Sequence, residues 1–307
     1  MKILFLGAGG VGGYFGGRLL QVGADVCFLV REGRARQLER DGLVVKSSAG
    51  DFAFPVRTIT AARPGFDLVI LTNKAYDLDS ALEAIAPAMT ADTAVLPLLN
   101  GVRHFERLDE RFGAERVMRG LCGLATTLTA AGHIVHTSPF HFITWGERDG
   151  RRSARATALL DWFAKTPCQV KLSDNIYQDV WEKYYYLVTL AAMNCLLRGN
   201  VGEINATDDG GALLREMLAE CAAVARAEGY PPSAEHLAAS ERILTERGSK
   251  FNASMLRDLE KGGAIESEHL VGDLLERAKR HRVEAPLLCV ANCHLQVYEA
   301  RRRAATA

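Results

Sequence analysis

Apolar residues in the first half of the chain gather into short runs separated by glycine and polar turns. Residues 3–8 (ILFLGA) form one such run, and GGVGGYFGGRLLQVG after it reads as a tight turn entering a helix. ADVCFLVR follows as a second strand, and residues 43–46 and 52–58 pattern as a short hairpin. FDLVILTNKA reads as a strongly buried strand, Asp77–Met89 as a helix, and TAVLPLLNG as another buried strand with a loop behind it. Between 117 and 145 come several β-rich runs, including HIVHT and FHFITWG. Apolar strands alternating with helices predict a parallel sheet with helices on both faces, the Rossmann-type doubly wound α/β class.

After about residue 173 the pattern changes. From Ile176 onward helical periods replace strands, at about 178–198, 210–228, 234–247, 252–260, 266–281 and 286–302. Pro231-Pro232 and Gly262-Gly263 punctuate them. The predicted organisation is an α/β domain over 1–173 followed by an all-α domain over 174–307. The tail RRRAATA reads as a frayed, solvated end, and no internal repeat or low-complexity tract is present.

Composition narrows the function classes. With 48% apolar and 24% charged residues the chain reads as soluble and globular. Lys plus Arg equals Asp plus Glu, 37 each, so no global basic field attracts nucleic acid. No apolar run approaches the roughly 18 residues that span a bilayer. MKILFLGAGG runs into glycines where a signal peptide would continue, so a cytoplasmic protein is expected. Seven scattered cysteines suit reduced, buried thiols. Cys289 and Cys293, followed by His294, lack the spacing and ligand number of a metal site, and their i, i+4 separation reads as a core stripe. No metal is expected.

GAGGVG sets Gly7, Gly9 and Gly12 in a G-x-G-x-x-G pattern, with Gly10 and Val11 inside the same turn. The hexapeptide alone is weak evidence. Here it follows a strand and opens a helix, the context that gives it meaning. Gly7 permits the turn, Gly9 a close approach to a pyrophosphate, and Gly12 tight packing of helix on strand. The second strand ends Phe28-Leu29-Val30-Arg31, where an NAD site usually has an acid for the ribose hydroxyls. A cation there favours NADPH over NADH, with Arg34 and Arg36 in the following loop adding charge. Lys74 and Asn100-Gly101 follow later strands, on the side of a parallel sheet where ligands bind. Each is equally read as a loop residue.

Two candidates carry chemistry. From Tyr184 to Leu197 there is no charge, and Lys183 stands at the edge of this apolar helix. A partly buried lysine has a depressed pKa and can deliver a proton to a carbonyl oxygen under reduction. It is also read as a solvated first-turn lysine. Glu266 opens a helix after a glycine pair, as a catalytic carboxylate or as a cap. Ser254 is a polar contact or an early helix residue.

GAGGVG, Arg31, KAYD at Lys74–Asp77, NG at 100–101, WEK at 181–183, SMLRDLE at 254–260 and IESEHLVG at 265–272 together resemble the ketopantoate reductase family, in order and over essentially the whole chain. The resemblance implies a Rossmann domain, a helical C-terminal domain and an active site in the cleft between them. It implies reduction of ketopantoate by NADPH to D-pantoate, on the path to pantothenate and coenzyme A. It makes Lys183 the general acid, Glu266 the carboxylate that orients substrate and lysine, and Asn100 and Ser254 substrate or cofactor contacts. Arg31 falls at the NADP-phosphate position and Lys74 at a cofactor or substrate position. One departure stands out: Leu187 and Ala191 occupy the places of two substrate-binding asparagines, with Asn194 three residues off. The substrate expected is a small 2-keto acid, ketopantoate first, with another 2-keto acid or a bulkier carbonyl as the alternative. A homodimer is left open. A non-catalytic NADPH-binding sensor is the reading of a different class, and Lys183 with Glu266 argues against it.

Overall fold

A computed structural model describes residues 1–306. The chain divides into two compact units: Met1–Leu99 with His104–Ile176, and Asn100–Arg103 with Tyr177–Ala307. The first unit runs β1 (Lys2–Leu6), α1 (Gly10–Gln21), β2 (Asp25–Leu29), α2 (Glu32–Asp41), β3 (Leu43–Ser47), β4 (Phe52–Phe54), β5 (Thr58–Ile59) and β6 (Leu68–Leu71). It continues with α3 (Leu78–Ile85), β7 (Ala94–Pro97), α4 (Arg103–Phe112), β8 (Arg119–Leu128), β9 (Ile134–Gly146), α5 (Ala154–Phe163) and β10 (Gln169–Leu172).

The expected parallel sheet is present, in the order β5-β2-β1-β6-β7. Strand alternation explains its double burial: Ile3 and Phe5 join one apolar cluster with Phe15 and Phe28, whereas Leu4 joins another with Leu71 and Leu82. A second, mixed sheet was not expected. Its order is β10-β9-β3-β4, with β8 antiparallel to β9. β3 and β4 form the anticipated hairpin, but β3 also pairs parallel with β9, about ninety residues on, which no local pattern signals. Arg34 and Arg36 stand on α2 and not in a loop.

The second unit is helical: α6 (Ile176–Leu197), α7 (Val201–Asn205), α8 (Gly210–Ala227), α9 (Ala234–Leu244), α10 (Ser254–Glu260), α11 (Asp273–His281) and α12 (Pro286–Thr306). The run expected over 266–281 is not one α-helix, because Glu268–Gly272 is a π-helical turn leading into α11. The arginine tail is helical, with α12 continuing through Thr306, and Arg301 and Arg303 are exposed as expected; Ala307 lies outside the described residues. Cys289 and Cys293 are exposed, against the core-stripe expectation, while the other five cysteines are buried. On α12 the core positions fall to Leu288, Ala291 and Leu295, and the thiols flank that stripe. No helix among the described residues is long and apolar enough to cross a membrane, and no cluster of side chains there could hold a metal ion.

Candidate active site

In the first unit the parallel sheet sends β2 to one side of β1 and β6 to the other. Strand order reverses at β1, and open α/β sheets bind ligands beyond the strand ends at such a point. A cavity of about 500 Å³ lies there, lined among others by Gly7, Gly9, Arg31, Thr72 and Asn73.

Gly7 has φ +93°, a left-handed conformation that only glycine adopts freely. Its N–H bonds the Leu29 carbonyl at 2.9 Å, joining the glycine turn to the end of β2. A Cβ on Gly9 would meet open space, and one on Gly12 would collide with the Gly7 carbonyl and Thr72 Oγ1. Close approach of α1 to β6 therefore requires a glycine at 12. No side chain caps α1, and its first turn holds no carboxylate. The unpaired N–H groups of that helix start suit a pyrophosphate, so the turn fits a dinucleotide. Gly10 and Val11 do not line the cavity. Gly10 lies against Thr126, and Val11 packs on the core.

Arg31 is exposed at the N-cap of α2 and lines the cavity beyond β2. No hydrogen bond engages its side chain among the described residues. Arg34 lines the same cavity, but its guanidinium bonds the carbonyls of Ala8 and Gly132. Arg36 pairs with Glu32. Lys74 is half-buried ahead of a 3-10 turn, Ala75–Asp77, and is not among the cavity's lining residues; its neighbour Asn73 is.

The catalytic candidates meet in the second unit. α6 is anchored from below by buried polar contacts. Tyr184 Oη lies 2.9 Å from the Leu270 carbonyl and 3.0 Å from Asp273 Oδ2. Arg277 bonds the same Asp273 oxygen at 2.9 Å and Glu228 at 2.8 Å. Trp181 stacks on Tyr230 with ring centroids 5.5 Å apart. One residue before Tyr184, Lys183 is half-buried and donates from Nζ to Asn100 Oδ1 at 2.9 Å, across 83 residues of sequence. Asn100 is held in turn by its neighbours. Gly101 has φ +85°, and a Cβ there would lie 2.8 Å from the His269 ring. That ring bonds the Asn100 backbone, and burial keeps its pKa below the ordinary histidine value although Glu266 and Asp273 pull it upward.

Glu266 is buried at 7% exposure and lies close enough to His269 to act on its charge. It precedes the π turn and does not start a regular α-helix. Glu268 points away and is exposed. Ser254 opens α10, whose preceding residue Ala253 donates its N–H to Asn194 at 2.9 Å. Asn194 also donates to the Gly199 carbonyl at 2.9 Å. Both ends of its amide are committed, and Asn194 is fully buried. Leu187 is half-buried and Ala191 fully buried. His269 had no separate signal in the sequence, because nothing local relates a histidine in IESEHLVG to an asparagine far upstream.

Comparison with known proteins settles the family. The model of "Ketopantoate reductase PanE/ApbA" matches residues 3–150, and that of its C-terminal part matches residues 175–295. The chain belongs to the ketopantoate reductase family. An uncharacterized oxidoreductase, YkpB of Bacillus subtilis, is 40% identical over 98% of this chain and 100% of its own length. The 2-dehydropantoate 2-reductase of Mesorhizobium japonicum is 28% identical, covering 90% of this chain and 91% of its own. The crystal structure of a PanE/ApbA family ketopantoate reductase from Ralstonia eutropha superposes with a TM-score of 0.89 at 26% identity, over 99% and 100% of the two chains. As a member of the ketopantoate reductase family, the protein is an oxidoreductase that uses a nicotinamide cofactor.

Proposed function

We propose that the protein reduces a 2-keto acid to a D-2-hydroxy acid with NADPH, ketopantoate being the first substrate and D-pantoate its product. The observation that carries the proposal is the Lys183–Asn100 contact: an amide oxygen holds the ammonium at 2.9 Å on a helix anchored by Tyr184 and Asp273. In this reading Gly7, Gly9 and the start of α1 seat the pyrophosphate, and Arg31 takes the 2′-phosphate. When bound, the dinucleotide supplies the hydride. Lys183 Nζ delivers the proton to the carbonyl oxygen, where negative charge would otherwise accumulate. Asn100 orients the ammonium through its amide oxygen. Glu266 sets the charge around the lysine and the product hydroxyl, and Ser254 contacts the substrate's polar end.

A second substrate is favoured by one feature. Leu187 is apolar and Ala191 is packed away, where the family resemblance leads one to expect asparagines. A site lacking those donors discriminates less strongly for a hydroxylated substrate, so another 2-keto acid is the alternative. Initial rates of NADPH oxidation with ketopantoate and with a panel of apolar 2-keto acids decide between them. Oxidation with none of them would remove the reductase reading.

A further inference from the structure

Arg34 lies three residues beyond Arg31 and lines the same cavity. From sequence it reads as a second cation for the ribose phosphate, but the fold engages it elsewhere. Nε and Nη2 both donate to the Ala8 carbonyl, at 3.2 and 2.9 Å. Nη1 donates to the Gly132 carbonyl at 3.0 Å and to Gln37 Oε1 at 2.7 Å. A guanidinium carries five N–H donors, so four are engaged and one is left. Arginine grips phosphate through two parallel donors, and Arg34 no longer has such a pair.

The carbonyl it holds matters to the glycine turn. Ala8 C=O and Gly9 N–H belong to one trans peptide, so they point in opposite directions. With glycine on its C-terminal side, that peptide can flip at reduced steric cost. A flip would turn a carbonyl oxygen to the side where an anion needs an N–H. The same guanidinium also holds the turn between β8 and β9 through Gly132, and Gln37 Nε2 adds a bond to the Ala131 carbonyl at 2.9 Å. We infer that Arg34 is a positioning residue that locks the Ala8–Gly9 peptide, and with it the pyrophosphate seat, without reading the 2′-phosphate. The inference rests on the proposal that this cavity takes a nicotinamide dinucleotide.

Fluorescence titration of the whole protein with NADPH and with NADH tests it. Arg34→Gln is expected to weaken both dinucleotides by the same factor, about ten- to a hundredfold, leaving their ratio unchanged. KM for the dinucleotide rises and kcat stays close to wild type. Amide exchange across residues 8–12 of the free protein becomes faster. Arg34→Lys keeps the charge but cannot span both carbonyls; it is expected to show the same common loss, smaller in size, and it carries the test if Arg34→Gln does not fold. Unchanged binding of both dinucleotides in a folded variant would overturn the inference. So would a loss confined to NADPH, which would make Arg34 a phosphate reader. Wild-type protein that binds neither dinucleotide would remove the cavity reading and this inference with it.

Discussion

At the scale of single residues, two neighbouring cations and one lysine divide the work. Arg31 is exposed and unengaged, whereas Arg34 has four of its donors in use. Arg31→Ala is therefore expected to weaken NADPH about ten- to a hundredfold more than NADH, the worth of a charge-assisted pair. Equal losses for both, by fluorescence titration, would take the 2′-phosphate away from Arg31. In the proposed reaction Lys183 is the proton donor. Lys183→Ala should lower kcat by about 10²–10⁴-fold, the usual contribution of a positioned acid. NADPH binding should hold, because the cavity proposed for it is built from first-unit residues. Lys183→Arg should not restore turnover, since a guanidinium does not release its proton near neutral pH. Near-normal kcat in Lys183→Ala would reduce Lys183 to a first-turn lysine.

At the scale of elements, α6 shows why residue type at a family position is not enough. The sequence suggests restoring asparagine at both 187 and 191. The structure separates the two positions: Ala191 has 0% exposure inside the helical core, and Leu187 is half-buried. An amide at 191 meets close packing and leaves polar atoms without partners. Ala191→Asn should cost about 1–3 kcal/mol of stability, read as a lowered midpoint in denaturant. Leu187→Asn alone should raise kcat/KM for ketopantoate if that face of α6 meets the substrate. No gain beside an already efficient wild type would show that other residues hold it. Asn194 cannot substitute, because its amide already ties α6 to Gly199 and to the start of α10.

At the scale of the whole molecule, buried and half-buried histidines govern the response to acid. Burial holds His136, His141, His236, His269 and His294 below the ordinary histidine value. Between about pH 6.5 and those lower folded values the unfolded chain binds more protons than the native one, so stability falls as pH falls. The carboxylates act later. Burial opposes ionisation at Glu147, Glu182 and Glu299, but Arg155, Ser233 and Arg302 respectively hold their pKa values below the usual range. Their contribution is complete above about pH 4.5 and is lost only below it. Thermal melts should show Tm declining from about pH 6.5 downward, with a second decline below about pH 4.5. A Tm flat from pH 7 to 5 would contradict the histidine account. Replacing His136 and His141 with glutamine should flatten the upper limb.

What the sequence determined by itself is what depends on neighbours a few residues apart. Strand alternation, helical period and the glycines of the turn between β1 and α1 are all local, so the parallel sheet, the helical second unit and the position of Arg31 were legible. Only the tertiary structure decided the pairing of β3 with β9, the contact of Asn100 with Lys183, the His269 ring against Gly101 and the diversion of Arg34 to Ala8. Each of these joins groups far apart along the chain or assigns a side chain to one of several reachable partners. The free energy that chooses among such partners comes from packing and from satisfying buried polar groups, and a linear pattern does not encode which groups become buried together.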